Sequence, residues 1–197
     1  MPLSKGSKVD KALKAFFAKH PSENFYAMAV DAGYLYLDSE EGLAKRHESY
    51  GERWQKKAAA VTAEEVKAID EDDRDDHFPS FAFEVGRGAT FEKALETENV
   101  ARAARRKDGN PYDKDDSDQM KVLRWSTGEF TYGQLVTLDL DAAYLSHYAK
   151  DVPAQAASAY AKKAAAIVAA LEANKNDLLA GVKLAPSFRI YAAGHEC

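Results

Sequence analysis

The chain has 197 residues, of which 46% are hydrophobic and 30% charged, and its formal net charge is -5. This composition is typical of a soluble globular protein, and ten Tyr and nine Phe provide enough bulk for a core, which excludes a fully disordered chain. The one cysteine, Cys197, excludes an internal disulfide. We expect no signal peptide and no membrane helix, because no apolar run approaches the roughly 20 residues that such a helix needs, and we therefore expect a cytoplasmic protein.

An amphipathic helix is predicted at the start of the chain. Ser7 is a suitable N-cap because its hydroxyl can accept a hydrogen bond from a backbone amide of the first turn. Apolar residues then recur at helical spacing, at Val9, Leu13, Phe16 and Phe17. They share one face of the helix, which we expect to pack on the element that follows.

Residues 24–38, with the sequence NFYAMAVDAGYLYLD, predict a β-hairpin. Asp31-Ala32-Gly33 is turn chemistry, and Gly33 is free to take a positive φ. Both faces of both strands are apolar or aromatic, which is typical of strands buried inside a sheet. We therefore expect this hairpin at the centre of a sheet that is covered by helices.

Two further N-caps predict helices after the hairpin. Ser39 can cap a helix, one face of which carries an apolar residue, a histidine and two aromatic residues: Leu43, His47, Tyr50 and Trp54. We expect His47 to pack beside these rings rather than to act in catalysis. Thr62 and Glu65 form a capping box that opens a shorter helix.

Two apolar stretches in the middle of the chain predict strands. Residues 80–85 form the first, which ends at Gly86-Arg87-Gly88, and Thr90 then caps a helix. Residues 120–125, MKVLRW, form the second. Residues 108–119 precede that second strand, are polar and rich in turn residues, and predict a mobile loop.

The C-terminal third predicts two helices between two strands. We expect strands at 134–140 and 187–191, with a first helix at 142–150; a segment that leads into that helix is the alternative for 134–140. Asp151-Val152-Pro153 indicates a helix restart, with an Asp N-cap followed by a Pro near the first turn. The alanine-rich run that follows, as far as Asn174, predicts the second helix.

Helices and strands interleave without the regular alternation of a doubly wound sheet, so the expected fold class is α+β. We expect a mainly antiparallel sheet with packed helices, including the alanine-rich C-terminal helix. At this length the chain is expected to form one domain over residues 1–197.

Local acidity is the clearest chemical feature of the sequence. Residues 70–76, DEDDRDD, contain six acids and one arginine, so this segment carries a charge of -5 and the rest of the chain is neutral. The sequence has no basic domain of the kind that binds nucleic acid, whereas acid-rich surfaces attract basic partners. The alternative is a solvated loop that keeps the protein soluble. The candidate protein-binding residues are Asp70, Glu71, Asp72, Asp73, Asp75, Asp76, His77 and Phe78.

A second candidate site is the predicted junction between a strand and a helix at Gly86, Arg87, Gly88 and Thr90. Backbone amides at a helix N-terminus attract anions, and glycines allow a phosphate to approach. The dinucleotide fingerprint fails because Phe91 occupies the place of its third glycine, so a plain turn is the favoured interpretation.

We expect no metal site, no cofactor and no catalytic residue. The acidic clusters lack the spacing of an EF-hand loop, and a single terminal cysteine cannot build a zinc site. Five histidines are scattered without a motif, and the sequence contains neither G-x-S-x-G nor H-E-x-x-H. An enzyme is therefore the less favoured class.

Three segments resemble an uncharacterised bacterial family of small cytoplasmic proteins. They are residues 23–29, ENFYAMA, residues 39–43, SEEGL, and residues 124–132, RWSTGEFTY. The family has F-Y-A-F-A, T-E-E-G-L and R-W-S-x-x-E-W-x-Y at these places; the departures here are Met28, Ser39 and Phe130. The resemblance implies an α+β fold and no assigned enzymatic activity. Small acidic bacterial proteins of this kind often serve as immunity partners of toxins.

Three hypotheses about function stay open. The first is a non-catalytic bacterial protein-binding module, and within that class a toxin-neutralising immunity protein, whose acidic surface meets a basic partner such as a toxin domain. The second is a small enzyme or a nucleotide- or anion-binding protein that uses Gly86-Arg87-Gly88. The third is a protein whose alanine-rich helix packs against a second copy. The sequence favours the first and leaves the oligomeric state open.

Overall fold

The computed structural model describes residues 6–114, 116–138, 140 and 154–193, and for 154–158 it describes the backbone alone. The helices of this part of the chain are α1 Lys8–Phe17, α2 Glu40–Ala58, α3 Ala63–Lys67, α4 Arg74–His77, α5 Pro79–Gly86, α6 Phe91–Asp108, α7 Asp118–Trp125, α8 Ala154–Ala173 and α9 Lys175–Leu178. The strands are β1 Phe25–Asp31, β2 Tyr34–Ser39, β3 Tyr132–Thr137 and β4 Leu184–Ala192. The predicted helix at 142–150 and the restart at Asp151-Val152-Pro153 lie outside the described residues.

The four strands form one sheet in the order β3-β2-β1-β4. The β1–β2 and β2–β3 pairs are antiparallel, and the β1–β4 pair is parallel. The predicted α+β class with a mainly antiparallel sheet is therefore confirmed, and so is the central place of the hairpin. No helix among the described residues combines the length and the apolar character needed to cross a membrane.

The hairpin turn uses left-handed backbone at both of its central residues. Ala32 has a φ of 52° and Gly33 a φ of 79°, and Asp31 pairs with Tyr34 on either side of them. Positive φ at two successive positions is the turn geometry that matches the twist of antiparallel strands. The predicted positive φ of Gly33 is confirmed, and Ala32 adopts left-handed backbone beside it, which is strained for a residue with a Cβ.

One face of the sheet carries the main hydrophobic core. Side chains from α1, from the two central strands and from α8 meet there, among them Leu13, Met28, Leu37, Ala164 and Leu171. The apolar stripe predicted for α1 is confirmed, because Val9 and Leu13 are buried and the two phenylalanines pack against this core. The alanine-rich helix α8 is confirmed as well.

The contacts of the chain divide it into two units. The first, which we call the sheet unit, comprises Met1–Arg46 and Lys121–Cys197, and the second, which we call the helical unit, comprises His47–Met120. The helical unit has a smaller core of its own, built by Val66, Phe78, Phe81 and Ala94. The expectation of one domain over residues 1–197 stays a prediction.

Two predicted strands are wrong, and both stretches are helices. Residues 80–85 belong to α5, where Pro79 occupies the first turn, a position at which the missing N–H of proline costs nothing. Residues 120–125 belong to α7, whose start is capped by Ser117, since its hydroxyl accepts a hydrogen bond from the Met120 amide at 3.1 Å. Short apolar runs do not distinguish a strand from a helix, and in both places a hydrogen-bond partner outside the run decides.

Candidate functional site

A buried ion pair organises the helical unit. Glu98 and Arg102 lie one turn apart on α6, are 0% and 3% exposed, and are joined by a 2.7 Å hydrogen bond from Nε of the arginine to the carboxylate. The second carboxylate oxygen accepts the backbone amides of Ser80 and Phe81, at 2.9 and 3.1 Å. Those amides belong to the first turn of α5, where no helical partner exists for them, so Glu98 caps that helix from a distance.

The guanidinium of Arg102 caps helix C-termini. Its Nη1 donates to the carbonyls of Lys56 and Ala59 at the end of α2, and its Nη2 donates to the carbonyl of His77 at the end of α4. A cation complements the unpaired carbonyls and the negative end of the helix dipole. The pair thereby fixes three helix ends, among them the two that flank Phe78.

The acidic segment predicted from the sequence begins as a 3-10 helix, Glu71–Asp73, and continues as α4. Its only cation, Arg74, turns inward, where Nε donates to the carbonyls of Val66 and Ile69 at 3.2 and 3.1 Å. Those carbonyls belong to α3 and to the turn that follows it. The arginine is therefore used to hold the segment in place rather than to neutralise its neighbours.

All six carboxylates of the segment are exposed, and within the described residues none of them forms an ion pair. They also do not converge, since no group of three or more His, Cys, Asp or Glu side chains in the described part of the chain could hold a metal ion. The acids therefore present an uncompensated negative charge to solvent. We call Asp70, Glu71, Asp72, Asp73, Asp75, Asp76 and His77 the acidic surface.

The burial of two aromatic residues changes the candidate protein-binding site. Phe78, a predicted partner-contacting residue, is only 7% exposed and belongs to the core of the helical unit, so it is removed from the candidate site. Phe83, which is not among the candidate binding residues, is 63% exposed on α5. In a strand Phe81 and Phe83 would share one face, but in a helix they point to nearly opposite sides, and only Phe81 is buried.

The candidate anion site lies between two helices and not between a strand and a helix. The amides of Arg87 and Ala89 donate to the Glu84 carbonyl, and the Gly88 amide donates to the Val85 carbonyl. Thr90 caps α6 as predicted, accepting from the Lys93 amide at 3.3 Å. The amides of this turn therefore bind the last carbonyls of α5. The role of Gly86, Arg87, Gly88 and Thr90 in anion binding stays a prediction.

The sheet unit buries a second charged network that the sequence reading missed. Asp38 is 0% exposed and accepts hydrogen bonds from the Arg46 guanidinium, from the Tyr26 hydroxyl and from the Thr131 amide. Burial raises the pKa of Tyr26 above its usual range, and the charge and hydrogen bond of Asp38 add to that effect. A Cβ at Gly42 would collide with the Thr131 hydroxyl, which explains a glycine inside α2.

A neighbouring cluster surrounds the carboxylate of Glu23. Ser39 donates to it at 2.5 Å, Tyr132 donates through its hydroxyl, and Nδ1 of His20 lies 3.0 Å away. Burial alone would raise the pKa of Glu23, but these hydrogen bonds outweigh it and hold the pKa below its ordinary value. Ser39 also accepts from the Gly42 amide at 3.1 Å, so its predicted capping role is confirmed.

The three segments that carry the family resemblance meet in these two clusters. Tyr26 of the first segment packs edge-on against Trp125 of the third at 5.5 Å, and Glu40 of the second pairs with Arg124 of the third at 2.5 Å. These contacts join β1 and α2 to the RWSTGEFTY segment. Side chains that bind one another in this way join segments that are distant in sequence.

The fold defines an α+β protein with a mixed four-stranded sheet and a separate helical unit. Comparisons of the chain with protein-family models, with curated proteins and with solved structures found no match. The family resemblance therefore stays a prediction.

Proposed function

We propose that this protein is a non-catalytic protein-binding module whose acidic surface meets a basic protein partner. One observation carries the proposal: Arg74 is turned inward, while the six carboxylates around it face solvent without an ion pair in the described structure. A segment that serves only solubility gains nothing when its one cation, Arg74, is turned inward. A recognition surface gains carboxylates that stay unpaired and available to the cations of a partner.

The acidic surface is also held at two points. Arg74 ties its middle to α3, and Arg102 ties its last residue, His77, to α6 through the carbonyl hydrogen bond of 2.9 Å. Carboxylates on a backbone that is already ordered lose less conformational entropy on binding than carboxylates on a flexible tail. Charge complementarity of this kind increases the association rate and selects against acidic competitors.

Within this class we propose a toxin-neutralising immunity protein, with a basic toxin domain as the partner. The support is the chemistry of the surface together with the resemblance to small acidic bacterial proteins. Phe83, exposed on the helix that follows the acidic surface, would supply an apolar contact beside the charges, because binding hot spots favour aromatic side chains.

The test compares two variants with equal changes in charge. One carries Asp72→Asn, Asp73→Asn, Asp75→Asn and Asp76→Asn; the other carries Glu48→Gln, Glu52→Gln, Glu92→Gln and Glu172→Gln, which lie at exposed positions elsewhere. Partners are first captured by the wild type from bacterial lysate and from the products of adjacent genes. Each purified partner is then titrated calorimetrically against wild type and both variants at about 50 mM and about 300 mM salt.

We expect the four-Asn variant to lose at least about tenfold in affinity at low salt and to lose most of the salt dependence. The four-Gln variant should bind within about twofold of wild type, since its charges lie away from the contact. Equal affinity of the four-Asn variant and the wild type would refute the acidic surface. Co-expression of this protein with a captured toxin should restore the growth of the bacteria. If a tightly bound toxin still stopped growth, the immunity role would be refuted, but not the protein-binding role.

A further inference from the structure

A cleft of about 340 Å³ lies within the helical unit, away from the acidic surface in sequence and with no residue in common with it. It opens between the second half of α2, the end of α6 and the turn that follows α6. Its principal lining residues are Trp54, Arg105, Asp108, Lys114, Ser117 and Gln119. This volume is at the lower end of the range that small-molecule sites occupy.

Contacts within the protein fix the wall of the cleft. The ring of Tyr112 packs against Tyr50 at 5.3 Å, and Nε2 of His47 donates to the Tyr112 carbonyl at 2.7 Å. His47 is thereby bound to a backbone carbonyl, and its expected packing beside the rings of its own helix stays a prediction. Ser117 donates to the Pro111 carbonyl at 2.6 Å, which closes the turn on itself. The cleft therefore exists before any ligand arrives, as most binding sites do.

Two groups at the cleft have no partner among the residues that the structure describes. The indole of Trp54 is half-buried, yet among the described residues it makes neither a hydrogen bond nor a ring contact. The ammonium of Lys114 is exposed and has no ion pair in the described part of the chain. Arg105 uses one N–H on the Lys57 carbonyl at 3.2 Å and retains others. An aromatic platform and free cations thus line one small space.

We propose that this cleft binds a planar aromatic molecule that carries one anionic group. The ring would stack on Trp54, because every planar π-system offers a face for stacking. Lys114 and Arg105 would bind the anion, and with Asp108 opposing them the lining has a net charge of +1, which matches a single negative charge. A phosphate and a carboxylate satisfy this chemistry equally, so the experiment distinguishes them.

The experiment follows the Trp54 indole N–H resonance of ¹⁵N-labelled full-length protein, assigned by comparison with Trp54→Phe. The probes are adenosine 5′-monophosphate, 2-naphthoate, adenosine and inorganic phosphate. We expect at least one of the first two to shift the resonance with saturation below about 1 mM, and at least about tenfold more tightly than adenosine or phosphate alone. Whichever anionic probe binds identifies the phosphate or the carboxylate source.

Variants then assign the two interactions. Lys114→Gln should weaken the binding probe at least about fivefold, whereas Lys107→Gln, an exposed lysine on α6 that does not line the cleft, should leave it unchanged. Trp54→Leu, followed at the Gly109 backbone amide, should abolish discrimination between the aromatic anions and inorganic phosphate. The proposal is overturned if neither aromatic anion shifts the resonance at about 10 mM, or if both variants bind as the wild type does.

Discussion

In the helical unit, Glu98 and Arg102 lie one turn apart on α6, whereas in the sheet unit Asp38 and Arg46 come from a strand and the helix that follows it. The acid of each pair is fully buried, but the remaining hydrogen bonds of the two pairs differ. Glu98 and Arg102 bind backbone groups at helix ends, and Asp38 and Arg46 bind mainly side chains, including Tyr26. The Glu98–Arg102 pair caps helix ends, and the Asp38–Arg46 pair holds together segments that are distant in sequence.

The difference teaches what a buried ion pair does in each setting. Helix ends carry unpaired amides and carbonyls, so a short-range pair on one helix can satisfy several of them together. A sheet leaves few such groups, and there the pair organises side chains from positions far apart in the chain. In both cases, removing one partner leaves an uncompensated charge, which is costlier than never having the pair.

Glu98→Gln is the variant with the largest expected effect. It leaves the Arg102 charge buried without its partner and weakens the cap of α5, so we expect a loss of about 3–5 kcal/mol in the free energy of unfolding. The matched control is Glu96→Gln on the same helix, which removes only an exposed ion pair with Lys93. Urea denaturation measures both variants, and the control should unfold close to the wild type because solvent screens an exposed ion pair.

Hydrogen exchange shows where the Glu98→Gln loss is located. We expect faster exchange at the Ser80 and Phe81 amides, which lose their charged acceptor. If these amides kept wild-type protection, the distant cap would not be what stabilises α5, and the contrast between the two pairs would lose its basis.

Asp38→Asn is expected to cost about 2–4 kcal/mol of unfolding free energy. The value is smaller than for Glu98 because the Arg46 side chain is 15% exposed and water can solvate part of its charge. Glu172→Gln, an exposed position of the sheet unit, serves as the control in the same denaturation series. A loss as small as that of the control would show that the network does not hold its segments together.

Alkaline unfolding provides the smallest and most specific effect. Because burial raises the pKa of Tyr26 above its ordinary value of 10.0, the folded state keeps the phenol proton while the unfolded state loses it. Stability is therefore fully present below pH 10 and falls above it, by up to about 1.4 kcal/mol per pH unit for this one group. Tyr26→Phe should reduce that slope in pH-dependent denaturation, and an unchanged slope would contradict the assignment.

Local chemistry was sufficient to predict much of the fold. The caps at Ser39, Thr62 and Thr90, and the turn at Gly33, depend on neighbours within a few residues, and the structure confirms each of them. Helix α5 could not be predicted in this way. The amides of α5 are capped by Glu98, which is 17 and 18 residues away in sequence.

By itself, the sequence determined that a charge of -5 is concentrated in residues 70–76, because composition does not depend on folding. Only the tertiary structure decided that Arg74 turns inward, that Phe78 is buried and that Phe83 is exposed. Each of these outcomes depends on which surface a helix buries, and burial is set by packing against residues distant in the chain. The acids were therefore visible in advance, whereas the surface they form was not.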